Sequence, residues 1–151
     1  MVKLNVDAQV AGGVYAGLGA VIRDENGLIV LTATKRMRIT DVVNLDAMAI
    51  RFGMNVALRF NYKCIWVESD SLSAINSVQS KTLGRTPFYL VIVDIIKLRA
   101  LFNICNFSHV RRNGNTVAHL VARGDTGSDS ELICLNSFPQ SIVTLANLDL
   151  V

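Results

Sequence analysis

Asp7, Asp46 and Asp70 are the residues of this chain best placed to build a site for a divalent cation. Asp7 closes a stretch in which Val2, Leu4 and Val6 alternate with Lys3 and Asn5, the period of a strand with two unlike faces. Asp70 follows Cys64-Ile65-Trp66-Val67, an apolar run without alternation that reads as a strand covered on both faces. Asp46 adjoins Ala47 and shares a helix side with Ile50 and Gly53, so its carboxylate is expected at the edge of the sheet. Carboxylates gathered at the margin of a core raise each other's pKa unless a hard cation neutralises them, and Mg²⁺ or Mn²⁺ is the natural occupant. Each residue alone also has a purely structural reading. Asp70-Ser71 resembles a helix N-cap, Asp7 a turn residue and Asp46 a first-turn charge, so it is the combination that points to a metal.

The elements that must position these groups follow from periodicity. Glycines at 12, 13, 17 and 19 surround an apolar run at 18–22, and Asp24-Glu25-Asn26-Gly27 makes a turn before a further run at 28–31. Three successive antiparallel strands are expected. The glycines lack the G-x-G-x-x-G spacing and the lysine of a nucleotide cradle, and read instead as hairpin residues or as room for a ligand backbone. From Asp41 the period changes: Val43, Ala47, Ile50, Met54 and Leu58 mark a helix to about residue 60, within which Gly53 permits close packing. The strand through Trp66 comes next. A helix over 71–80, a loop at 82–85 and a helix opened by Pro87 and reaching Ala100 follow. Residues 103–110 read as a strand and 111–115 as a polar turn. Asn115 is placed to cap a last helix that buries Val117, Leu120 and Val121 and stops at Gly124.

Composition narrows the classes of function. The 151 residues suit one domain, and 51% hydrophobic against 18% charged residues argues for a large buried core. Every apolar stretch is interrupted before the ~20 residues needed to cross a bilayer, and the start lacks the order of a signal peptide. An intracellular protein without membrane insertion is expected. Cys64, Cys105 and Cys134 form no C-x-x-C and read as free thiols behaving as small hydrophobes. The net charge of +3 is uneven, because residues 1–124 hold all 15 basic groups and residues 125–151 hold none. The basic part suits a polyanionic partner.

Five segments carry a resemblance. They are K-L-N-V-D-A at 3–8, G-L-G-A-V-I-R-D-E-N-G at 17–27, N-L-D-A-M-A-I-R-F-G-M-N-V-A-L at 44–58, W-V-E-S-D-S at 66–71 and H-V-R-R-N-G-N-T-V-A-H-L-V-A-R at 109–123. In this order they resemble the type 1 ribonuclease H family, in particular its plant retroelement-related branch. The resemblance implies an α/β, RNase H-like fold over residues 1–124, with a five-stranded mixed sheet, three antiparallel strands then two parallel, flanked by helices. Residues 125–151 are left as an acidic and apolar extension expected to pack on the core or on a partner.

It further implies hydrolysis of the RNA strand of RNA/DNA hybrids with two Mg²⁺ or Mn²⁺ ions, by a chain that is monomeric or part of a larger retroelement-derived protein. Asp7 and Asp70 fall on family catalytic aspartates. Asp46 falls where the family usually places a glutamate, and His119 where it places a fourth carboxylate, so both stand in the catalytic and metal set as departures. An aspartate is one methylene shorter, and an imidazole suits Mn²⁺ better than Mg²⁺. Ser71, Arg111, Arg112 and Asn115 are the expected nucleic-acid contacts, with Lys35, Arg36 and Arg38 as further phosphate candidates after the third strand. His109 reads as structural. The alternative expectation is a degenerate, non-catalytic module that binds nucleic acid or a partner protein.

Overall fold

A computed structural model describes residues 1–39, 44–81, 84–127 and 130–149. The first three strands, β1 (Val2–Ala11), β2 (Tyr15–Arg23) and β3 (Ile29–Arg38), form an antiparallel meander. Helix α1 (Leu45–Arg59) leads into β4 (Cys64–Ser69), and two separate helices, α2 (Leu72–Gln79) and α3 (Pro87–Arg99), lead into β5 (Ile104–His109). A 3-10 turn at Arg112–Gly114 precedes α4 (Thr116–Ala122), and the chain ends in β6 (Glu131–Cys134) and α5 (Gln140–Asp149). Asp41 and Val43, where the helical period begins in the sequence, lie outside the described residues, as do Asp129 and the first half of the loop at 82–85.

The strands join in one mixed sheet in the order β5-β4-β1-β2-β3-β6, with β1·β4 and β4·β5 parallel and the other pairs antiparallel. It has six strands rather than five. The additional one comes from the C-terminal extension, where β6 pairs with β3 from Thr32↔Cys134 to Lys35↔Glu131. Helix α5 then packs on α4, with Ile142 and Ala146 joining Val117, Ala118 and Val121 in a small apolar cluster.

Alternation along the strands divides the sheet into two faces. Leu4, Val6, Leu18, Ile22, Leu31, Ile65 and Val67 enter the main core with Ile50 and Met54 of α1 and Ile92 and Ile95 of α3. Gly53 lets α1 lie close to β1, since a Cβ there would stand 2.7 Å from Val6 Cγ1. The opposite face carries Asn5, Asp7 and Gln9 of β1 and receives α4. Gly17 and Gly19 make that approach possible: a Cβ on Gly19 would meet Ala122 N at 2.5 Å and Ala118 O at 2.7 Å. These glycines thus admit the backbone of a helix, not of a ligand, whereas Gly12 and Gly13 take the positive φ of the hairpin.

Two further expectations change. β4 is covered on one face only, because Trp66 is 41% exposed and donates from Nε1 to Ser108 Oγ at 2.7 Å. Lys35, Arg36 and Arg38 lie within β3, not after it. Cys105 is buried, which pushes its thiol up to about 11, while Cys64 and Cys134 are half-buried, and all three are free thiols. No described helix is long and apolar enough to cross a membrane.

Candidate metal centre

The register of the parallel pair brings two of the aspartates together. Pairing of β1 with β4 runs from Val2↔Ile65 to Asn5↔Glu68, and Asp7 and Asp70 each lie two residues beyond that last rung. A period of two puts both on the same face, at the mouth left where the ladder stops. Asp7 is therefore not at the end of its strand; β1 continues to Ala11, held there by β2.

Asp46 arrives from α1. Asn44 caps this helix by accepting Ala47 N–H at 3.1 Å, which leaves Asp46 in the first turn, where the helix dipole favours negative charge. One oxygen from each of Asp7, Asp46 and Asp70 lies within 4.8 Å of the others. Among the described residues this is the one cluster of three or more acidic, histidine or cysteine side chains able to share an ion. Burial and mutual repulsion act together on the carboxyls. Asp46 is pushed up to about 6, first by desolvation and then by Asp70 and Asp7, against a small opposing effect of Arg112. Asp7, 5% exposed, is raised by burial and by Asp70, against hydrogen bonds from the Ala8 backbone and from His119.

Asn115 sets the last helix against this site. It occupies the N-cap of α4, yet its side chain does not cap. Its Nδ2 instead donates to Val6 O at 2.8 Å, and its Oδ1 accepts from Asn5 Nδ2 at 3.1 Å; Asn5 Nδ2 also reaches Glu68 Oε1 at 3.1 Å. The amide is thus spent on β1, which pins the start of α4 beside Asp7. One turn on, on the same helix side, His119 meets Asp7, with Nδ1 3.0 Å from Oδ2. Gln9, two residues after Asp7 on the same strand face, brings Nε2 to 2.8 Å from His119 Nδ1 and 3.4 Å from Asp7 Oδ2.

The other anticipated residues surround this centre. Ser71 caps α2 by accepting Ala74 N–H at 3.3 Å, while its own N–H donates to Ser69 Oγ at 3.1 Å. Arg112 is exposed, with Nε 3.9 Å from Asp70 Oδ2, and Arg111 is exposed beside it. Asn115 is 2% exposed, so its part is to position α4. His109 Nε2 lies 3.2 Å from the backbone oxygen of Asp70, a structural contact. Gln9 and Asn5 were missed. Their signal was parity, since Asn5, Asp7 and Gln9 share one strand face, but only the folded chain shows what that face meets.

Residues 5–124 match the family described as reverse transcriptase-like. Among solved structures, the chain is similar to RNase H1 from the halophilic archaeon Halobacterium salinarum, with TM-score 0.70 and 22% identity over 80% of this chain and 92% of that one. It is also similar to the N-terminal RNase H domain of a Mycobacterium tuberculosis protein, with TM-score 0.69 and 22% identity over 81% and 90% of the two chains. A third similar structure is LC11-RNase H1 in complex with an RNA/DNA hybrid, with TM-score 0.69 and 18% identity over 80% and 93%. No curated protein matches. These likenesses establish an RNase H-like fold.

Proposed function

Because the chain belongs to the reverse transcriptase-like family, we propose that it is a ribonuclease H type 1-like nuclease that hydrolyses the RNA strand of RNA/DNA hybrids. The observation that carries this reading is the meeting of Asp7, Asp46 and Asp70, one oxygen of each within 4.8 Å of the others, at the mouth between two parallel strands of an RNase H-like sheet. An all-oxygen set of three carboxylates fits Mg²⁺ or Mn²⁺, and the pKa of Asp46, raised first by burial and then by repulsion from Asp70 and Asp7, marks a crowding that a cation relieves. Bound there, the ion supplies Lewis-acid stabilisation of the scissile phosphate and makes a water more acidic.

The chain's own groups do the rest. Asp7, within β1, Asp70, just past β4, and Asp46, on the helix, would hold the cation. His119 has Nδ1 turned to Asp7 Oδ2, to which it donates, so Nε2 is the atom at which it accepts or gives up a proton. An imidazole in place of a fourth carboxylate weakens the second ion of a two-metal arrangement and shifts preference toward Mn²⁺. Arg111, Arg112 and Ser71 flank the carboxylates and meet the phosphates of the bound strand. The order of the five sequence segments supports placing the chain in the plant retroelement-related branch. Residues 1–124 are the catalytic domain of an intracellular protein, either monomeric or a portion of a larger retroelement-derived one, and residues 125–151 are an extension closing its sheet.

The test is cleavage of a labelled hybrid in Mg²⁺ and in Mn²⁺ by the parent, by Asp7→Asn and by an Asp46→Glu, His119→Asp double variant. Cleavage by the parent, stronger in Mn²⁺ and absent in Asp7→Asn, is the expected result. The shorter reach of Asp46 favours a second reading, a module that binds hybrids without cutting. Cleavage by the double variant alone selects that reading.

A further inference from the structure

We infer that the groove leading from Gln9 across the ends of β2 and β3 is a phosphate-binding track for the nucleic-acid strand that enters the carboxylate site, with Arg36 and Arg38 as its principal contacts. This rests on the nuclease reading and extends it to where the strand lies. Two cavities of about 270 and about 450 Å³ adjoin through Arg36. The first is lined by Gln9, Gly17, Arg36 and Arg123, and Gln9 is the residue that touches Asp7 and His119, so the groove starts at the proposed metal centre. The second is lined by Tyr15, Arg36, Arg38 and Thr126.

Sheet register explains this arrangement. Gln9 pairs with Gly17, which pairs with Arg36, and Tyr15 pairs with Arg38. Asp7 pairs with Gly19 and Gly19 with Thr34, so the two arginines lie two and four residues beyond the aspartate's row, on its face. That is about 7 and about 13 Å along the strand direction. The main chain of α4 at Ala122 stands over Gly17 where a Cβ would lie, so this helix end walls the groove between Gln9 and Arg36. Arg36 stacks over the Tyr15 ring at 5.1 Å, which holds its guanidinium in place while its donors remain available.

Two observations select an anionic ligand. Among the described residues no carboxylate lines either cavity, and Arg36, Arg38 and Arg123 make no ion pair. Glu131, across the ladder from Lys35, is taken by Arg59 at 2.7 Å, and Asp125 accepts Gly127 N–H at 2.8 Å. Thr126 is 5% exposed, and its Oγ1 has no hydrogen-bond partner among the described residues. A buried hydroxyl without a partner is costly, and an acceptor oxygen entering the second cavity would satisfy it. The equally large cavity beside Trp66 serves as a contrast, since Asp24, Glu25 and Glu68 line it together with Lys3 and the Met1 amine, which pair with Glu68 and Glu25, so its charges are mixed rather than uniformly basic.

The experiment measures binding of a labelled RNA/DNA hybrid by anisotropy at several salt concentrations, using the full chain carrying Asp7→Asn so that the hybrid is not cut. Adding Arg36→Ala and Arg38→Ala is expected to reduce the slope of log affinity against log salt by about 2, at roughly 0.9 per lost phosphate contact, with a loss on the order of tenfold. Removing two lysines elsewhere, Lys63→Ala and Lys97→Ala, is expected to leave the slope in place. Thr126→Val is expected to weaken binding about threefold without lowering the melting temperature, because it exchanges an unpaired hydroxyl for a methyl. A slope indifferent to the two arginines, or equally reduced by the two lysines, overturns the track and leaves the nuclease reading standing. A parent chain that cuts nothing but shows the arginine-dependent slope supports the track and ends the nuclease reading. Inorganic phosphate bound through Arg36 and Arg38, with hybrid affinity indifferent to both, marks a free-phosphate site and overturns the strand track.

Discussion

The two faces of the sheet solve opposite problems with the same strands. Toward α1 and α3, Leu4, Val6, Leu18 and Ile22 meet Ile50, Met54 and Ile92 as large apolar side chains packed side chain to side chain. Toward α4, Gly17 and Gly19 let backbone touch backbone, and the intervening polar groups are Asn5, Asp7, Gln9, Asn115 and His119. Burial of apolar surface stabilises the first face and tolerates small adjustments of volume. The second holds its parts by hydrogen bonds, by the absence of Cβ atoms and by a smaller apolar cluster of Val21, Val117 and Val121, so its geometry is narrow. Chemistry sits on the face that can fix a carboxylate while also desolvating it.

The largest break in this comparison is Asp7→Asn. Hydrolysis is expected to fall on the order of 10³-fold, since several kcal/mol of charge stabilisation is lost, while urea denaturation shows no loss of stability because a repelled buried charge is removed. Ile50→Ala acts in the reverse sense. It is expected to cost about 3 kcal/mol by leaving a cavity in the main core, with metal affinity by calorimetry unchanged in the folded fraction. Gly19→Ala joins the two effects, costing about 1–3 kcal/mol by overpacking against α4 and shifting His119, so activity falls more than stability alone explains.

The smallest effect sharpens the electrostatic side. Asp46 has a folded pKa of about 6 against an ordinary value of 3.8, so between them the folded chain holds more protons than the unfolded one. Its contribution to stability is therefore present below about pH 4 and lost as pH rises through about 6. Urea midpoints of the metal-free parent, taken relative to Asp46→Asn, should decline across that window, and millimolar Mg²⁺ should restore them. A relative midpoint that rises with pH would contradict the crowding of these carboxylates.

Much of this was legible in the chain itself, for local reasons. Alternation from Val2 to Asp7 fixed which side of the strand the aspartate takes, and the three-four spacing through Ala47 and Ile50 placed Asp46 on the core side of its helix. What stayed hidden depends on partners distant in sequence. Asn115 has the residue type of a cap, but Val6 O and Asn5, more than a hundred residues away, draw its amide elsewhere. Trp66 sits in an unbroken apolar run, yet no described helix covers its face, so periodicity alone overstated its burial. Gln9 carries no motif, and its importance arises only when α4 delivers His119. The sixth strand escaped notice because four residues, Glu131 to Cys134, are too few for a clear period.

That short strand also bears on how the protein keeps to itself. Without β6, the N–H and C=O groups of β3 from Thr32 to Lys35 would face water in a row, a template on which another chain's strand can pair. β6 takes those bonds and offers in exchange a four-residue edge opened by Glu131, too short to recruit a neighbour readily. A chain cut after Gly124 keeps every residue of the carboxylate site, yet it bares that edge. Its expected fault is aggregation, appearing as concentration-dependent precipitation before any change in the chemistry.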